Sequence, residues 1–279
     1  YRVDACMKED LWNGVQGEHA SNLGGLIASA LAEPLGIPAF IVDPVSVDEF
    51  HDVARLSGLD VIPRKSLLHA LNIRSTARKA AADLGKQMEA CRFIVAHLGG
   101  GFSIVPMENG KMIDANNANE EGPFSPDRSG SLPSYSLAKL LFSGHFQDFL
   151  EARKIINGQG GLVAYLGTSD VREVERRVET GDKKAKLALD AMIYQIAKYI
   201  GAMAAPLKGQ VDAIILTGGI AYSAYVTAEI EKRVRFIAPV KSYPGENEME
   251  ALALGALRVL QGLEPERNYE KEVNNDSTL

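Results

Sequence analysis

Apolar residues recur every three or four positions over several stretches of the chain, and this spacing predicts amphipathic helices. The stretches are 17–35, 66–90, 136–142, 170–207, 222–234 and 248–260. Pro34 and Gly36 end the first helix, and Gly181-Asp182 interrupts the fourth, because glycine and proline disfavour helix continuation.

Other segments show the period of two or the short apolar runs that are typical of strands. Residues 93–114, FIVAHLGGGFSIVPMENGKMID, predict three strands separated by a glycine bend and an Asn109-Gly110 turn, since Asn-Gly is a strong hairpin signal. Further strands are predicted at 39–42, 211–216 and 236–240. The alternation of strands and helices favours an α/β fold with mixed sheets.

Residues 114–134 are dense in Asn, Gly, Pro and Ser. This composition predicts a long loop outside the core, and loops of this length are usually functional or mobile.

Composition narrows the function classes. The chain is 46% hydrophobic and 24% charged, which excludes disorder as its main state. Its net charge of −6 argues against nucleic acid or an anionic membrane as partner, so any phosphate must be bound locally. Two cysteines and no membrane-length apolar run indicate a cytoplasmic protein with buried thiols.

Two of the glycine clusters suggest ligand sites. The bend Gly99–Gly101 lies between strands, so its backbone N–H groups can bind phosphate oxygens, although a hairpin without a ligand fits equally well. Gly218-Gly219 lies between a strand and a helix. A nucleotide could bind there, at the N-terminus of the helix. Close packing of the strand against the helix explains the two glycines equally well. Neither cluster forms a Walker A or G-x-G-x-x-G motif, so a nicotinamide oxidoreductase has little support.

Four side chains are candidates for phosphate chemistry. His69 and His97 can donate to phosphate oxygens, and Asp43, at the end of a predicted strand, can orient a metal-bound water. Arg128 lies in PFSPDRSGSLP, a proline-braced loop in which a rigid guanidinium suits an anion. Ordinary core or surface positions are the alternative for each.

Seven segments together carry a family resemblance. They are GEHASN (17–22), AFIVDPVSVDEF (39–50), RKSLLHALN (64–72), HLGGGFSI (97–104), DANNANEEGPFSPDRSGSLP (114–133), LTGGIAYSAYV (216–226) and YPGENEMEALALGALRVLQG (243–262). In this order they resemble the acetate kinase family, and within it the butyrate kinases. That family belongs to the sugar kinase, chaperone and actin superfamily.

The resemblance implies two ribonuclease H-like domains with mixed sheets around a nucleotide cleft. Residues 1–62 with 250–279 would form the acyl-substrate domain, and 63–249 the nucleotide-binding domain. The implied reaction is reversible, direct in-line transfer of the γ-phosphoryl of ATP to butanoate or a similar short-chain carboxylate, with ATP/ADP and Mg²⁺ as cofactors. A homodimer or higher homo-oligomer is expected.

The resemblance also implies roles for individual residues. Arg128 corresponds to the arginine that stabilises the transition state and His69 to the histidine that steadies the phosphoryl group, while Asp43 and His19 lie on the substrate side. The remaining positions are His97 with Gly99, Gly100 and Gly101 for phosphate, Gly218 and Gly219 for adenosine, Glu248 or Glu246 for magnesium, and Leu68 and Pro123 for the acyl pocket.

The sequence departs from the family at its start. The first phosphate loop of the family, rich in Gly, Ser and Thr, and the Arg-Gly-Gly segment that follows it are not found before Tyr1. We therefore expect the first domain to be incomplete, with open sheet edges. The alternative function is a truncated, catalytically silent nucleotide-binding protein of the same fold.

Overall fold

The computed structural model describes residues 1–15 and 21–271. The chain divides into two compact units, Tyr1–Val47 with Asn247–Leu279, and Asp48–Glu246. The sequence-based division at residues 62 and 250 stays a prediction about functional domains.

The smaller unit contains helices α1 (Ala5–Asn13), α2 (Asn22–Ala32) and α10 (Glu248–Leu260). Asp4 caps α1, because its carboxylate accepts a hydrogen bond from the Met7 N–H at 2.8 Å. The strand predicted at 39–42 is wrong: this segment makes a single antiparallel bridge between Arg2 and Phe40. Its residues are also half-buried, so they lack the burial expected of an internal strand.

The larger unit is built on one mixed sheet. Its strands are β1 (Arg92–Leu98), β2 (Phe102–Glu108), β3 (Lys111–Met112), β4 (Ala213–Gly218) and β5 (Val240–Pro244), in the order β3-β2-β1-β4-β5. The first three pair antiparallel, and β1, β4 and β5 are parallel. The predicted α/β class with a mixed sheet is confirmed.

Helices cover both faces of this sheet. Of these, α3 (Ala70–Asp83), α8 (Lys183–Ala204) and α9 (Ala224–Val234) contact the strands. The other helices of the larger unit are α4 (Ser134–Leu141), α5 (Phe149–Ile156), α6 (Gly161–Leu166) and α7 (Val171–Glu179). Ile94, Ala96 and Leu216 belong to the core cluster that includes α8 and α9. The alternate residues of β1 and β4 face α3, because successive strand side chains point to opposite faces.

Several helix predictions agree with the structure, with corrected ends. The break at Gly181-Asp182 separates α7 from α8, and the Asp182 carboxylate caps α8 by accepting from the N–H groups of Lys184 and Ala185. The helix predicted at 66–90 is shorter, since α3 begins at Ala70 and ends at Asp83. Of the predicted helix 17–35, α2 covers 22–32 and a 3₁₀ turn covers Glu33–Leu35; residues 17–20 lie outside the described residues.

The strand predicted at 236–240 is displaced. Phe236 is exposed, and the Ile237 N–H bonds back to the Val234 carbonyl at 2.9 Å, so both residues close the turn after α9. The strand begins only at Val240. Of the two predicted buried thiols, Cys91 is buried and Cys6 is only half-buried.

Candidate active site

The parallel strands end together at one edge of the sheet. β1 runs into the bend after Leu98, β4 ends at Gly218 and β5 at Pro244, and ligands in α/β folds bind beside such carboxyl ends. Gly218 has φ +86°, and a Cβ there would lie 2.5 Å from the Leu98 carbonyl oxygen. The close approach of β4 to β1 therefore requires glycine at this position.

The glycine bend makes room for two side chains. A Cβ at Gly99 would lie 3.0 Å from His97 Nε2, and a Cβ at Gly101 would lie 2.5 Å from Arg128 Nη1. The Ser125 hydroxyl donates to the Gly100 carbonyl and so links the bend to the loop that carries Arg128. The side chains of His97 and Arg128 thus both lie against the backbone of the glycine bend.

His69 and His97 form a stacked pair. Their ring centroids are 3.9 Å apart with an interplanar angle of 10°. His69 is the residue before α3, and its Nδ1 lies 2.9 Å from the Ser103 hydroxyl oxygen. Because Ser103 is the cross-strand partner of His97, the hairpin register itself places the hydroxyl beside both rings.

The Ser103 hydroxyl makes two contacts with His69. Its oxygen accepts the His69 backbone N–H at 3.3 Å, and among the described residues Ser103 has no other side-chain partner. A hydroxyl has one hydrogen and two acceptor lone pairs, so the same contact forms whether Nδ1 of His69 accepts or donates. Burial, and then the positive charge of Arg128, lower the pKa of His69 to about 4. His69 is therefore a neutral imidazole at pH 7.

His97 is almost completely buried at the end of β1. Its Nδ1 lies 2.8 Å from Asn72 Oδ1, and its Nε2 lies 3.8 Å from Glu246 Oε1. Burial, and then its neighbour His69, hold the pKa of His97 well below its usual value. Two stacked imidazoles that both stay neutral avoid repulsion between like charges.

The Arg128 guanidinium is held by neutral acceptors. Its Nη1 donates to the Ala118 carbonyl at 3.1 Å and to Asn119 Oδ1 at 2.8 Å. No carboxylate of the described residues pairs with it within 4 Å. Its charge is therefore held in place without being neutralised, as an anion site requires.

The loop that carries Arg128 is more buried than its composition predicts, which corrects the expectation that it lies outside the core. Asn116 is 1% exposed; its Oδ1 accepts from the Ile104 N–H at 2.7 Å, and its Nδ2 donates to the Phe102 carbonyl at 2.8 Å. The amide thus satisfies strand backbone groups, which allows a polar loop to be buried.

Arg64 anchors the same loop. Its guanidinium donates to Asp114 Oδ1 at 2.9 Å, to the Ala115 carbonyl at 2.7 Å and to Glu121 Oε1 at 3.2 Å. It also donates to the Ala54 carbonyl at 2.8 Å. Arg64 was missed as a site residue, although it lies in the RKSLLHALN segment.

The other predicted residues are divided among three places. Leu68 and Pro123 are buried in the larger unit, Leu68 next to His69. Gly219 begins a 3₁₀ turn. Asp43 and Glu248 belong to the smaller unit, Asp43 with φ +42° and Glu248 in the first turn of α10. His19 lies outside the described residues.

No group of three or more His, Cys, Asp or Glu residues that could hold a metal ion occurs in the part of the chain that the structure describes. Glu246, next to His97, is a single carboxylate. This fits Mg²⁺, which proteins commonly bind through one or two carboxylates together with substrate phosphates and water.

The low pKa of His69 predicts acid sensitivity. Between pH 6.5 and 4 the unfolded state binds more protons at this residue than the folded state, so the free energy of unfolding falls as the pH is lowered. The shift corresponds to roughly 3 kcal/mol. We expect His69→Gln to flatten this dependence in urea titrations at pH 6.5, 5.5 and 4.5. His145→Gln, at an exposed position, is the matched control; an unchanged slope in His69→Gln would contradict the prediction.

Over residues 1–15 and 21–271, no helix combines the length and the apolar character needed to cross a membrane.

Comparison with known sequences adds the family. The model of the acetokinase family matches residues 61–241. A probable butyrate kinase 2 of Caldanaerobacter subterraneus subsp. tengcongensis is 55% identical over 269 residues, 96% of this chain and 76% of that protein. Butyrate kinase 2 of Clostridium acetobutylicum is 53% identical over 270 residues, with the same two coverages.

Solved structures agree in fold. The acetate kinase of Porphyromonas gingivalis superposes with a TM-score of 0.80 at 22% identity, covering 92% of this chain and 73% of that one. The acetate kinase of Entamoeba histolytica gives a TM-score of 0.78 at 19% identity, covering 94% and 75%. With the family model matching most of its length and relatives more than half identical, the chain belongs to the acetokinase family.

Proposed function

We propose that this protein transfers the γ-phosphoryl group of ATP to butanoate, or a similar short-chain carboxylate, and so produces an acyl phosphate and ADP. The proposal is supported by relatives named butyrate kinases. The single structural observation that carries it is the Arg128 guanidinium, fixed beside the glycine bend without a carboxylate partner among the described residues. Catalysis would take place between the phosphate-binding bend and the paired histidines.

The reaction requires no general base. A carboxylic acid with a pKa near 4.3 is already ionised at neutral pH, so one carboxylate oxygen attacks the γ-phosphorus directly. A new O–P bond forms while the bond from phosphorus to the bridging oxygen of ADP breaks, and ADP leaves with that electron pair. The difficulty is electrostatic, because an anion approaches a polyanion.

The residues of the site would reduce this electrostatic repulsion. Arg128 would place positive charge on the equatorial oxygens of the transferring group, where charge is spread in the transition state. His69, as the tautomer with its hydrogen on Nε2, would donate to the same group without adding a second charge. The Gly99–Gly101 bend would bind the phosphates through the N–H groups of Gly100 and Gly101, because the Gly99 N–H donates to the Gly101 carbonyl at 3.3 Å. The turn at Gly218-Gly219 would contact the adenosine.

Mg²⁺ would neutralise phosphate charge when it is bound, with Glu246 and Glu248 as candidate carboxylates. Asp43 and His19 are proposed to act on the substrate side, and Leu68 and Pro123 to line the acyl pocket. These assignments are extensions of the family resemblance to residues of this chain.

Trapping of the acyl phosphate as its hydroxamate tests the reaction. With ATP, Mg²⁺ and butanoate we expect product that disappears when any one of the three is omitted, and a lower kcat/KM for acetate. One methylene contributes about 1 to 3 kcal/mol in a fitted pocket. ATP binding in calorimetry without turnover on any short carboxylate would favour the silent alternative.

We also propose that the protein is a homodimer or a larger homo-oligomer, as the family resemblance implies. Light scattering coupled to gel filtration measures the mass directly, and a mass equal to the chain's 30.1 kDa would reject it.

A further inference from the structure

Asn72 on α3 is 3% exposed and connects three parts of the site. Its Nδ2 donates to the Glu246 carbonyl at 2.9 Å and to the Gly245 carbonyl at 3.3 Å. Its Oδ1 lies 2.8 Å from His97 Nδ1. The residue therefore joins the end of β1 to the segment that follows β5.

These contacts determine the orientation of the amide. Carbonyl oxygens only accept hydrogen bonds, so the amide nitrogen of Asn72 must face Gly245 and Glu246. The amide oxygen then faces His97, and an amide oxygen also only accepts. His97 must consequently carry a hydrogen on Nδ1.

We propose that Asn72 is a positioning residue that holds His97 in the Nδ1–H tautomer and fastens its ring to the Gly245–Glu246 segment. While the ring is neutral, its Nε2 then presents a lone pair to the site. This nitrogen lies 3.8 Å from Glu246 Oε1, so two hydrogen-bond acceptors face each other across a gap.

A group that contacts both acceptors must donate hydrogen bonds to them or be a cation. A water molecule, with one hydrogen for His97 Nε2 and one for the Glu246 carboxylate, satisfies both acceptors, whereas a phosphoryl oxygen satisfies neither. This reverses the expectation that His97 donates to phosphate. His97 therefore offers an acceptor to the site at Nε2. The relevance to phosphoryl transfer rests on the proposed function; the tautomer itself does not.

Nitrogen-15 NMR of histidine-labelled protein at pH 7.5 tests the tautomer directly, with His97→Gln used to assign the signals. We expect protonated Nδ1 and unprotonated Nε2 at His97 in the unaltered chain. Asn72→Leu removes the acceptor, so His97 should shift toward the Nε2–H tautomer and kcat should fall roughly 10- to 100-fold, as when partners that orient a functional histidine are lost.

Asn72→Asp separates the two tasks of the residue. Its carboxylate still accepts from Nδ1–H but cannot donate to the Gly245 and Glu246 carbonyls. We expect this variant to keep the tautomer while its KM for ATP rises more than its kcat falls. Thr76→Val, one turn further along the buried side of α3, is the matched control and should leave the His97 signals unchanged.

Two outcomes would overturn the proposal: an Nε2–H tautomer at His97 in the unaltered chain, or a folded Asn72→Leu variant with an unchanged tautomer. The first measurement needs no variant, so it decides even where Asn72→Leu does not fold. It also needs no substrate, and so its result is independent of whether butanoate is phosphorylated.

Discussion

Replacement of Arg128 by alanine is expected to lower kcat for acyl phosphate formation by about 10³- to 10⁵-fold, with little change in KM for ATP. An arginine that contacts the transferring phosphoryl group accelerates the reaction by a factor of this size. The Arg128 guanidinium makes no ion pair with a carboxylate of the described residues that would compete with phosphate. Steady-state kinetics with butanoate and ATP would measure both constants.

Two further variants separate charge from loop structure. Arg128→Lys keeps the charge but loses the planar fork, and we expect it to recover only part of the rate. Asn119→Ala removes the hydrogen bond that Arg128 Nη1 makes to Asn119 Oδ1 but keeps the guanidinium. A loss in Asn119→Ala as large as in Arg128→Ala would show that Arg128 serves to order the loop and not the transition state.

The hairpin around the glycine bend could be predicted from the sequence. The period-two pattern and the bend predict two antiparallel strands, and the observed register pairs Leu98 with Phe102 and His97 with Ser103. A bend centred on Gly100 therefore already predicts that Ser103 is the cross-strand neighbour of His97. Ser103 was missed as a site residue, although this pairing was the signal that could have found it.

Contacts distant in sequence could not be predicted in this way. The Asn72 amide meets carbonyls 173 and 174 residues away, and only the packing of α3 against β1 and β4 brings them together. The burial of residues 114–134 was mispredicted for a similar reason. Composition counts polar side chains, but it does not show that Asn116 pairs with strand backbone and Arg64 with the loop.

Gly161 packs against the loop that carries Arg128, and an added methyl group there is expected to cause a large loss of both stability and activity. Gly161 has φ +56°, and a Cβ there would lie 1.8 Å from the Ser125 carbonyl oxygen and 2.9 Å from that of Arg128. Since real Cβ atoms do not approach backbone so closely, Gly161→Ala must displace the segment that holds Arg128. We expect a loss of roughly 4 kcal/mol in the free energy of unfolding and of about 10²-fold in kcat, measured by urea titration and steady-state kinetics.

Gly167 provides the matched control, because it follows the last residue of the same helix, α6, with φ +76°, and a Cβ there would have no atom within 4 Å. Gly167→Ala therefore carries the backbone strain without the collision, a cost of roughly 1 to 2 kcal/mol, and its kcat should stay near that of the unaltered protein. Equal losses in the two variants would attribute the effect to φ alone. In that case the packing of α6 against the Ser125–Arg128 turn would not be what keeps the arginine in place.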